Sequence, residues 1–432
     1  MKHLYSILLL AVLAAPSCKK NDTAPESPGS TVKPSLDFSF TRIGARDCLS
    51  SAYNNAILVA TLNNAPNGVE FSCEITGSNG LKPPVDFNAT QSGTTGSDIT
   101  FLYFKGLHYY KDGKLTLKVT LKDPAKTVIE GSFDKEEFVI REPRDLSALW
   151  ELQYKTGADP AAVYTQAVDM AFPDDALSQA PVNSFTGTYD GQGHKITNLT
   201  ITTAKSNSTE FLGLFGSLTK GSVVKNLRLE LSATGISSPN DAYLGGIAGY
   251  SDGASIINCS VKGNIKSMGG FSQSGGIIGV MENGRITGCS FNGALQAGIA
   301  GGIAGSFSAG YMNMCAAIVG FQSNNAGGLM GIFAGTQDTL LNTYAYIQGT
   351  AHPAPLFIDP QHTSGGFVIS HCFSNMGTPQ TGATMYSTIT ELNGLLADLT
   401  VGNLPQGITA PPANKPFKAG ADPAKPAGLW WE

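Results

Sequence analysis

The 432-residue chain is poor in charge: Asp, Glu, Lys and Arg together make up 14% of it, against roughly 25% in ordinary globular proteins. From Arg285 to Lys415 it contains no lysine or arginine, so that stretch lacks the cations that hold phosphate backbones. With a net charge of −5 and no basic block, nucleic acid is excluded as a partner. No apolar run reaches the ~20 residues of a transmembrane helix. No His-Glu-x-x-His pair occurs, which excludes the helical zinc-peptidase site. His352, His362 and His371 lie close in sequence but do not make up the three or four ligands a zinc site needs. No metal and no cofactor are expected. Low charge is not disorder here, because 42% of the residues are apolar and they recur regularly.

What the chain has instead is glycine, 51 residues of it, and repetition. Four copies read Gly246-Ile247-Ala248-Gly249, Gly276-Ile277-Ile278-Gly279, Gly302-Ile303-Ala304-Gly305 and Gly328-Leu329-Met330-Gly331, each preceded by a further glycine. A looser copy is Gly213-Leu214-Phe215-Gly216, and the intervals between first glycines are 33, 30, 26 and 26. A second row occupies one aligned position with Leu199, Leu227, Cys259, Cys289, Cys315, Thr343 and Cys372, at intervals of 28, 32, 30, 26, 28 and 29. Two rows with a common period of this size indicate a stacked repeat. The four cysteines are expected to be reduced and to form an inward ladder, behaving as small hydrophobes. The glycines are expected to supply the φ > 0 corners of each coil.

Three segments precede the repeats. Lys2 and His3 lead into an apolar run, Leu4 to Ala15, and then Ala15-Pro16-Ser17-Cys18. A basic start, a dozen apolar residues and small residues before a cut make a signal peptide, residues 1–17. Cys18 after the small residues resembles the lipobox of bacterial lipoproteins, from which Pro16 departs. That resemblance implies membrane attachment through a lipidated Cys18 at the cell outer membrane. Residues 18–35, polar and rich in Pro, Ser and Thr, read as a flexible tether. Residues 36–143 hold seven short apolar-alternating runs: 36–40, 56–62, 69–75, 99–104, 115–121, 128–133 and 137–140. Their number and turn-rich spacing fit an immunoglobulin-like β-sandwich without the Cys…Trp…Cys signature. Cys48 and Cys73 lie in this segment as candidates for a disulfide.

Residues 144–432 form the second module. Leu146, Leu149, Trp150 and Leu152 have helical spacing, with Asp145 as N-cap, and predict a short helix capping the array. The opening Phe185-Thr186-Gly187-Thr188-Tyr189-Asp190-Gly191-Gln192-Gly193-His194, the Gly-x-x-Gly copies and tails such as Asn258-Cys259 resemble the GLUG-motif repeats. These occur in bacterial surface proteins, including adhesin-like proteins and some IgA-specific metallopeptidases. The resemblance covers about residues 145–376, with the repeats themselves at about 185–376, and implies a right-handed parallel β-helix. Peptidase activity is not carried over, since its zinc motif is missing. A short helix is predicted over 388–397, and Leu429-Trp430-Trp431-Glu432 is expected to pack over the last coil.

Parallel β-helices also carry lyases and glycosidases, which need paired carboxylates on one face. Asp252 and Glu282 are 30 residues apart, matching the Cys259–Cys289 interval, and are expected on the same turn of adjacent coils. Asp338 and Asp359 are 21 apart and out of register. The Asp252–Glu282 pair lacks the third carboxylate and the base of a calcium-dependent lyase, unless Arg285 serves as that base. Asp190–His194 is expected to form a tight turn. Taken together, these features predict an all-β, monomeric, non-enzymatic surface or envelope lipoprotein with no catalytic residues, active in adhesion or in binding a glycan or protein. The irregular loops 232–242 and 349–364 are candidates for contact. The alternatives are a β-helical polysaccharide lyase or glycoside hydrolase, or an architectural component associated with the envelope or fimbriae.

Overall fold

The computed structural model describes residues 32–41, 57–77, 90–96, 99–104, 114–134, 139–156, 160–204, 209–323, 325–333, 338–349, 368–376, 382–402, 404 and 408–432. The signal peptide, Cys18, most of the tether, Cys48, Asp359, His352, His362 and nearly all of the 349–364 loop lie outside these residues.

Strand makes up 57% of the described part, which has only two helices. Near the N-terminus, Ser35–Thr41, Ile57–Asn63 and Ile99–Phe104 make one antiparallel sheet. Thr90–Thr94, Glu70–Gly77, Lys114–Leu121 and Val128–Asp134 make another. Alternation explains their pairing: Lys114–Leu121 buries Leu115, Leu117, Val119 and Leu121 on one side only. These residues share one core with Leu58, Leu62, Leu102 and Phe104 of the first sheet. Phe38 meets Phe133 across the layers with ring centroids 4.9 Å apart. The strand Thr90–Thr94 was not foreseen. The run at 137–140 does not join these sheets. Its strand Val139–Ile140 pairs in parallel with Val163–Gln166 and so belongs to the next module.

From there the chain winds into a parallel β-solenoid of about seven turns. One coil runs through Ala242–Gly245, Ala248–Asp252 and Ser255–Ser267. Each of these strands hydrogen-bonds in parallel to its counterpart in the next coil. Among the described residues the coils build three parallel sheets, a long one and others of five and six strands. The interior is made of stacked rows. In the long sheet, Val224, Ile256, Ile286, Met312 and Leu340 stack in one row, and Leu227, Cys259, Cys289, Cys315, Thr343 and Cys372 in the next, all fully buried. The four cysteines are free thiols, as the ladder required. Each sulfur lies within hydrogen-bond reach of two carbonyls; Cys259 Sγ, for example, lies 3.4 Å from the Ile257 oxygen and 3.7 Å from that of Val224. Burial pushes the Cys289, Cys315 and Cys372 thiols up from their ordinary values.

The glycine expectation holds in part: Gly187, Gly221 and Gly253 have positive φ at the turn into the long-sheet strands, but the Gly-x-x-Gly copies need correction. None of the glycines in the Gly-x-x-Gly copies has positive φ. They are glycine because there is no room: a Cβ on Gly276 would stand 2.1 Å from Phe291 Cγ and 2.4 Å from the Gly302 oxygen. The two residues between the glycines, such as Ile247 and Ala248, point inward and are fully buried. A second left-handed corner lies just before the cysteine row, at Asn198, Asn226, Asn258, Gly288, Met314, Asn342 and His371 (φ 50 to 64°). Asparagine tolerates this conformation and bonds locally. Asn342 Nδ2 donates to Asn313 Oδ1 at 2.9 Å, and Asn226 Nδ2 to Asp190 Oδ1 at 3.0 Å.

A helix dresses the N-terminal end of the solenoid, and a second helix packs with the C-terminal segment on its flank. Helix α1, Pro143–Thr156, buries Leu146 and Leu149 against the solenoid core. Its Gln153 exchanges two hydrogen bonds with the backbone of Thr186, at 2.6 and 3.0 Å. Asp145 is not the N-cap: it lies in the first turn and accepts from the Arg141 and Glu142 amides. Helix α2, Ile389–Asp398, is capped by Thr388, which accepts from Glu391 N, while Glu391 reaches back to accept from Ser387 N. The C-terminal segment does not lie over the last coil. It runs along the flank of the long sheet, packing Leu429 with Ala316, Tyr344 and Phe373. Farther along, Trp431 Nε1 donates to the Gly288 oxygen at 2.8 Å and its ring lies 6.0 Å from the Arg228 guanidinium. Ser290 donates to Glu432.

Candidate functional site

The outer surface of the five- and six-stranded sheets carries a group that the interior does not require. Phe211 and Tyr243 are register partners on adjacent coils, each two residues before its corner glycine. Tyr250 follows Gly249, on the strand beyond the corner. The corner is so tight that a Cβ on Gly249 would touch the backbone of Phe211, Leu212 and Tyr243 within 2.7 Å. The two sheets therefore bring their outward residues together. The Phe211 ring stacks on Tyr243 (5.5 Å, 14°) and on Tyr250 (5.3 Å, 22°). Phe211 is 39% exposed, and both tyrosines are half-buried.

The acid pair adjoins these rings. Asp252 and Glu282 are register partners on adjacent coils, as their spacing required. The Tyr250 hydroxyl donates to Glu282 Oε2 at 2.9 Å, and Asn283 Nδ2 donates to Asp252 Oδ1 at 3.0 Å. Burial, with the Glu282 hydrogen bond added, pushes the Tyr250 phenol up to about 12, so it stays protonated as a donor. Both carboxylates are exposed. The Arg285 guanidinium lies 5.7 Å from the Tyr311 ring centroid. One coil on, Phe271 is 82% exposed and its amide donates to Asp241 Oδ1 at 2.8 Å.

The other candidates resolve into architecture. In the Asp190–His194 loop, Asp190 accepts from the Gln192 amide at 3.0 Å and pairs with Lys225 at 3.1 Å. Burial works to raise the Asp190 carboxyl but is outweighed by its bonds to Gln192, Asn226 and Lys225, so the net direction is down. His194 Nδ1 meets Asp169 Oδ1 at 3.0 Å. Asp338 is buried and accepts from the Gly310 amide at 2.5 Å. Among the described residues no group of three His, Cys, Asp or Glu side chains is arranged to hold a metal ion. No described helix is long and apolar enough to cross a membrane. The aromatic members of the strip were not singled out from sequence. Their signal was positional: rings at the outward positions around the Gly-x-x-Gly block in consecutive coils.

Comparison with known proteins agrees on the repeat. A family model described as the GLUG motif matches residues 240–266, a single coil. Halomucin of Haloquadratum walsbyi is 34% identical over 99 residues, 23% of this chain, and the match spans 1% of that protein's length. Among solved structures, an IgA1 protease aligns over 71% of this chain and 28% of its own, at 15% identity and a TM-score of 0.36. The pectate lyase Pel3 of Pectobacterium carotovorum aligns over 81% of this chain and 88% of its own, at 9% identity and a TM-score of 0.16. Likeness at this level carries no argument about activity.

Proposed function

We propose that the chain is an exported lipoprotein of the cell outer membrane, anchored by lipidated Cys18, that works by binding and not by turnover. In this reading the N-terminal sheets are an immunoglobulin-like spacer; their strand order, 1-2-5 against 4-3-6-7 in chain order, supports it. The solenoid, of right-handed winding, is the displayed surface, used in adhesion or in binding a glycan or protein. The observation that carries the reading is the strip of stacked, partly exposed rings beside two carboxylates on the outside of a rigid repeat. Solenoids bind through extended faces of this kind.

Two experiments test it. Radiolabelled palmitate should enter the wild type and be lost in Cys18→Ser; incorporation unchanged in that variant removes the anchor. The purified protein should bind glycans or envelope and host-matrix proteins while releasing no reducing ends or unsaturated products from polysaccharides. One observation favours the rival reading of a carbohydrate-active enzyme, the in-register carboxylates Asp252 and Glu282. Turnover abolished by Asp252→Ala or Glu282→Ala would establish that rival.

A further inference from the structure

We infer that the strip formed by Phe211, Tyr243, Tyr250, Asp252 and Glu282 is a binding site for an uncharged oligosaccharide. The inference rests on the binding reading above and adds its site and ligand class.

Three features carry it. First, three stacked rings provide an apolar surface with a polar tip at each tyrosine, suited to the C–H face of a pyranose ring. Second, the groups beside the rings are hydrogen-bonding ones. Glu282 uses Oε2 for the Tyr250 hydroxyl, and Asp252 uses Oδ1 for Asn283. A carboxylate accepts at both oxygens with about four lone-pair sites, so each keeps acceptor capacity for sugar hydroxyls. The core of a protein–protein interface is depleted in Asp and Glu, so two carboxylates against the aromatic centre disfavour a protein partner. Third, the local charge sets the ligand class. Asp241, two residues before Tyr243 and accepting from the Phe271 amide, adds a third carboxylate beside the strip. Among the described residues Lys220 approaches, its side chain passing Gly253 beside Asp252. A polyuronate would bring further negative charge into this field, whereas a neutral sugar would bring only hydroxyl donors. The two sheets hold the rings in place through the corner at Gly249, so little ordering cost falls on the protein.

The test uses the purified full-length chain and isothermal titration with cellohexaose, maltohexaose and mannohexaose, with hexagalacturonate as the charged comparator. At least one neutral hexaose should bind and hexagalacturonate should not. Phe211→Ala should weaken binding by about tenfold. Tyr250→Phe keeps the ring and should lose about threefold, and Glu282→Gln about fivefold. Val368→Ala, a remote exposed apolar site, should leave binding unchanged. Circular dichroism and the melting temperature establish that each variant is folded, and Tyr250→Phe keeps the test open should Phe211→Ala unfold. Binding of hexagalacturonate that strengthens in Glu282→Gln overturns the ligand class. Binding of a neutral hexaose that is unchanged in folded Phe211→Ala and Tyr250→Phe overturns the site and leaves the surface-binding reading standing. No binding of any neutral hexaose overturns the inference, while the glycan and matrix screen above decides the broader reading separately. Self-association of the wild type that is lost in Phe211→Ala identifies the strip as a contact between copies and also overturns it.

Discussion

The claim that the corner glycines are required for space and not for backbone conformation can be decided with three alanine substitutions. At Gly276 a Cβ would penetrate Phe291, which is itself 1% exposed, and the carbonyl of Gly302 on the next coil. Neither can yield cheaply, because the carbonyl belongs to a coil held at the ~4.8 Å spacing of neighbouring strands. Overpacking of this kind costs about 1–3 kcal/mol. Disturbing one of the corner hydrogen bonds, Gly276 N to Gly301 O or Gly246 N to Gly276 O, adds about 1 kcal/mol. Alanine's smaller unfolded-state entropy returns about 0.4–1 kcal/mol, so Gly276→Ala should destabilise by roughly 1–3.5 kcal/mol in all. Gly193 has φ +78° and open space around its Cβ position, so Gly193→Ala should cost only the left-handed penalty of about 1–2 kcal/mol less the same entropy return, roughly 0–1.5 kcal/mol in all. Gly320 has an ordinary φ and no neighbour within 4 Å, so Gly320→Ala should be neutral or stabilising by up to about 1 kcal/mol. Urea unfolding under reducing conditions gives the three midpoints. Hydrogen exchange at Ile247 and Ile303 tests whether the damage stays with adjacent coils, as nearest-neighbour stacking demands. A larger loss in Gly193→Ala than in Gly276→Ala would refute the steric account.

Three further outcomes follow from named contacts. In the left-handed row, Asn342→Gly keeps the backbone and loses the bond to Asn313, costing about 1 kcal/mol; Asn342→Ala loses both, costing about 2–3 kcal/mol by the same unfolding assay. Cys259, Cys289, Cys315 and Cys372 are fully buried, and burial raises the last three thiols. Peptide-mapped maleimide labelling of the native protein should therefore spare all four even at pH 9, and label them in denaturant. The Asp190 carboxyl is lowered in the folded state relative to ~3.9 unfolded. Its stabilisation is thus present above about pH 4 and lost as pH falls through the lower folded value. Asp190→Asn should flatten the stability profile below about pH 4 and leave its shape between pH 6 and 8 unchanged.

Periodicity made the equivalences legible. Aligning Leu227 with Cys259 and Thr343 with Cys372 from sequence spacing reproduced their actual register, because every coil must fill the same interior and the chain has one way to repeat that. The same logic placed Asp252 opposite Glu282. What periodicity cannot supply is the reason a residue type recurs. Glycine recurs where φ is positive and also where a Cβ would strike a neighbour, and Gly246, Gly276 and Gly302 proved to be the second case. Asn226, Asn258 and Asn342 stood beside the cysteine row in the sequence, yet their left-handed role shows only in the backbone. At the same position Gly288 replaces asparagine because a Cβ there would strike Asn258 Oδ1 and the Trp430 ring. The tail was misjudged for a related reason. An aromatic segment will cover whatever apolar surface is open, and Ala316, Tyr344 and Phe373 offered it on the flank.

The strip was illegible for a deeper reason, and that reason bears on where specificity in such a repeat resides. Inward positions are fixed by packing, and a one-residue slip would turn the whole set outward. Outward positions carry no such duty. The residue after the last corner glycine is in turn Ser217, Tyr250, Val280, Ser306 and Ile332, partners in one ladder with no shared chemistry. The residue two before the corner is Phe211, Tyr243, Gln273 and Ile299. Rings fall on both rows only around the coils of Phe211 and Tyr243, and the acid row meets them there through Tyr250 and Glu282. A pattern defined by one place on the stack leaves no trace in a repeat alignment, which averages over coils. The invariant part of the coil therefore positions the variable part, and the two sheets meeting at Gly249 turn three separate sequence positions into one surface.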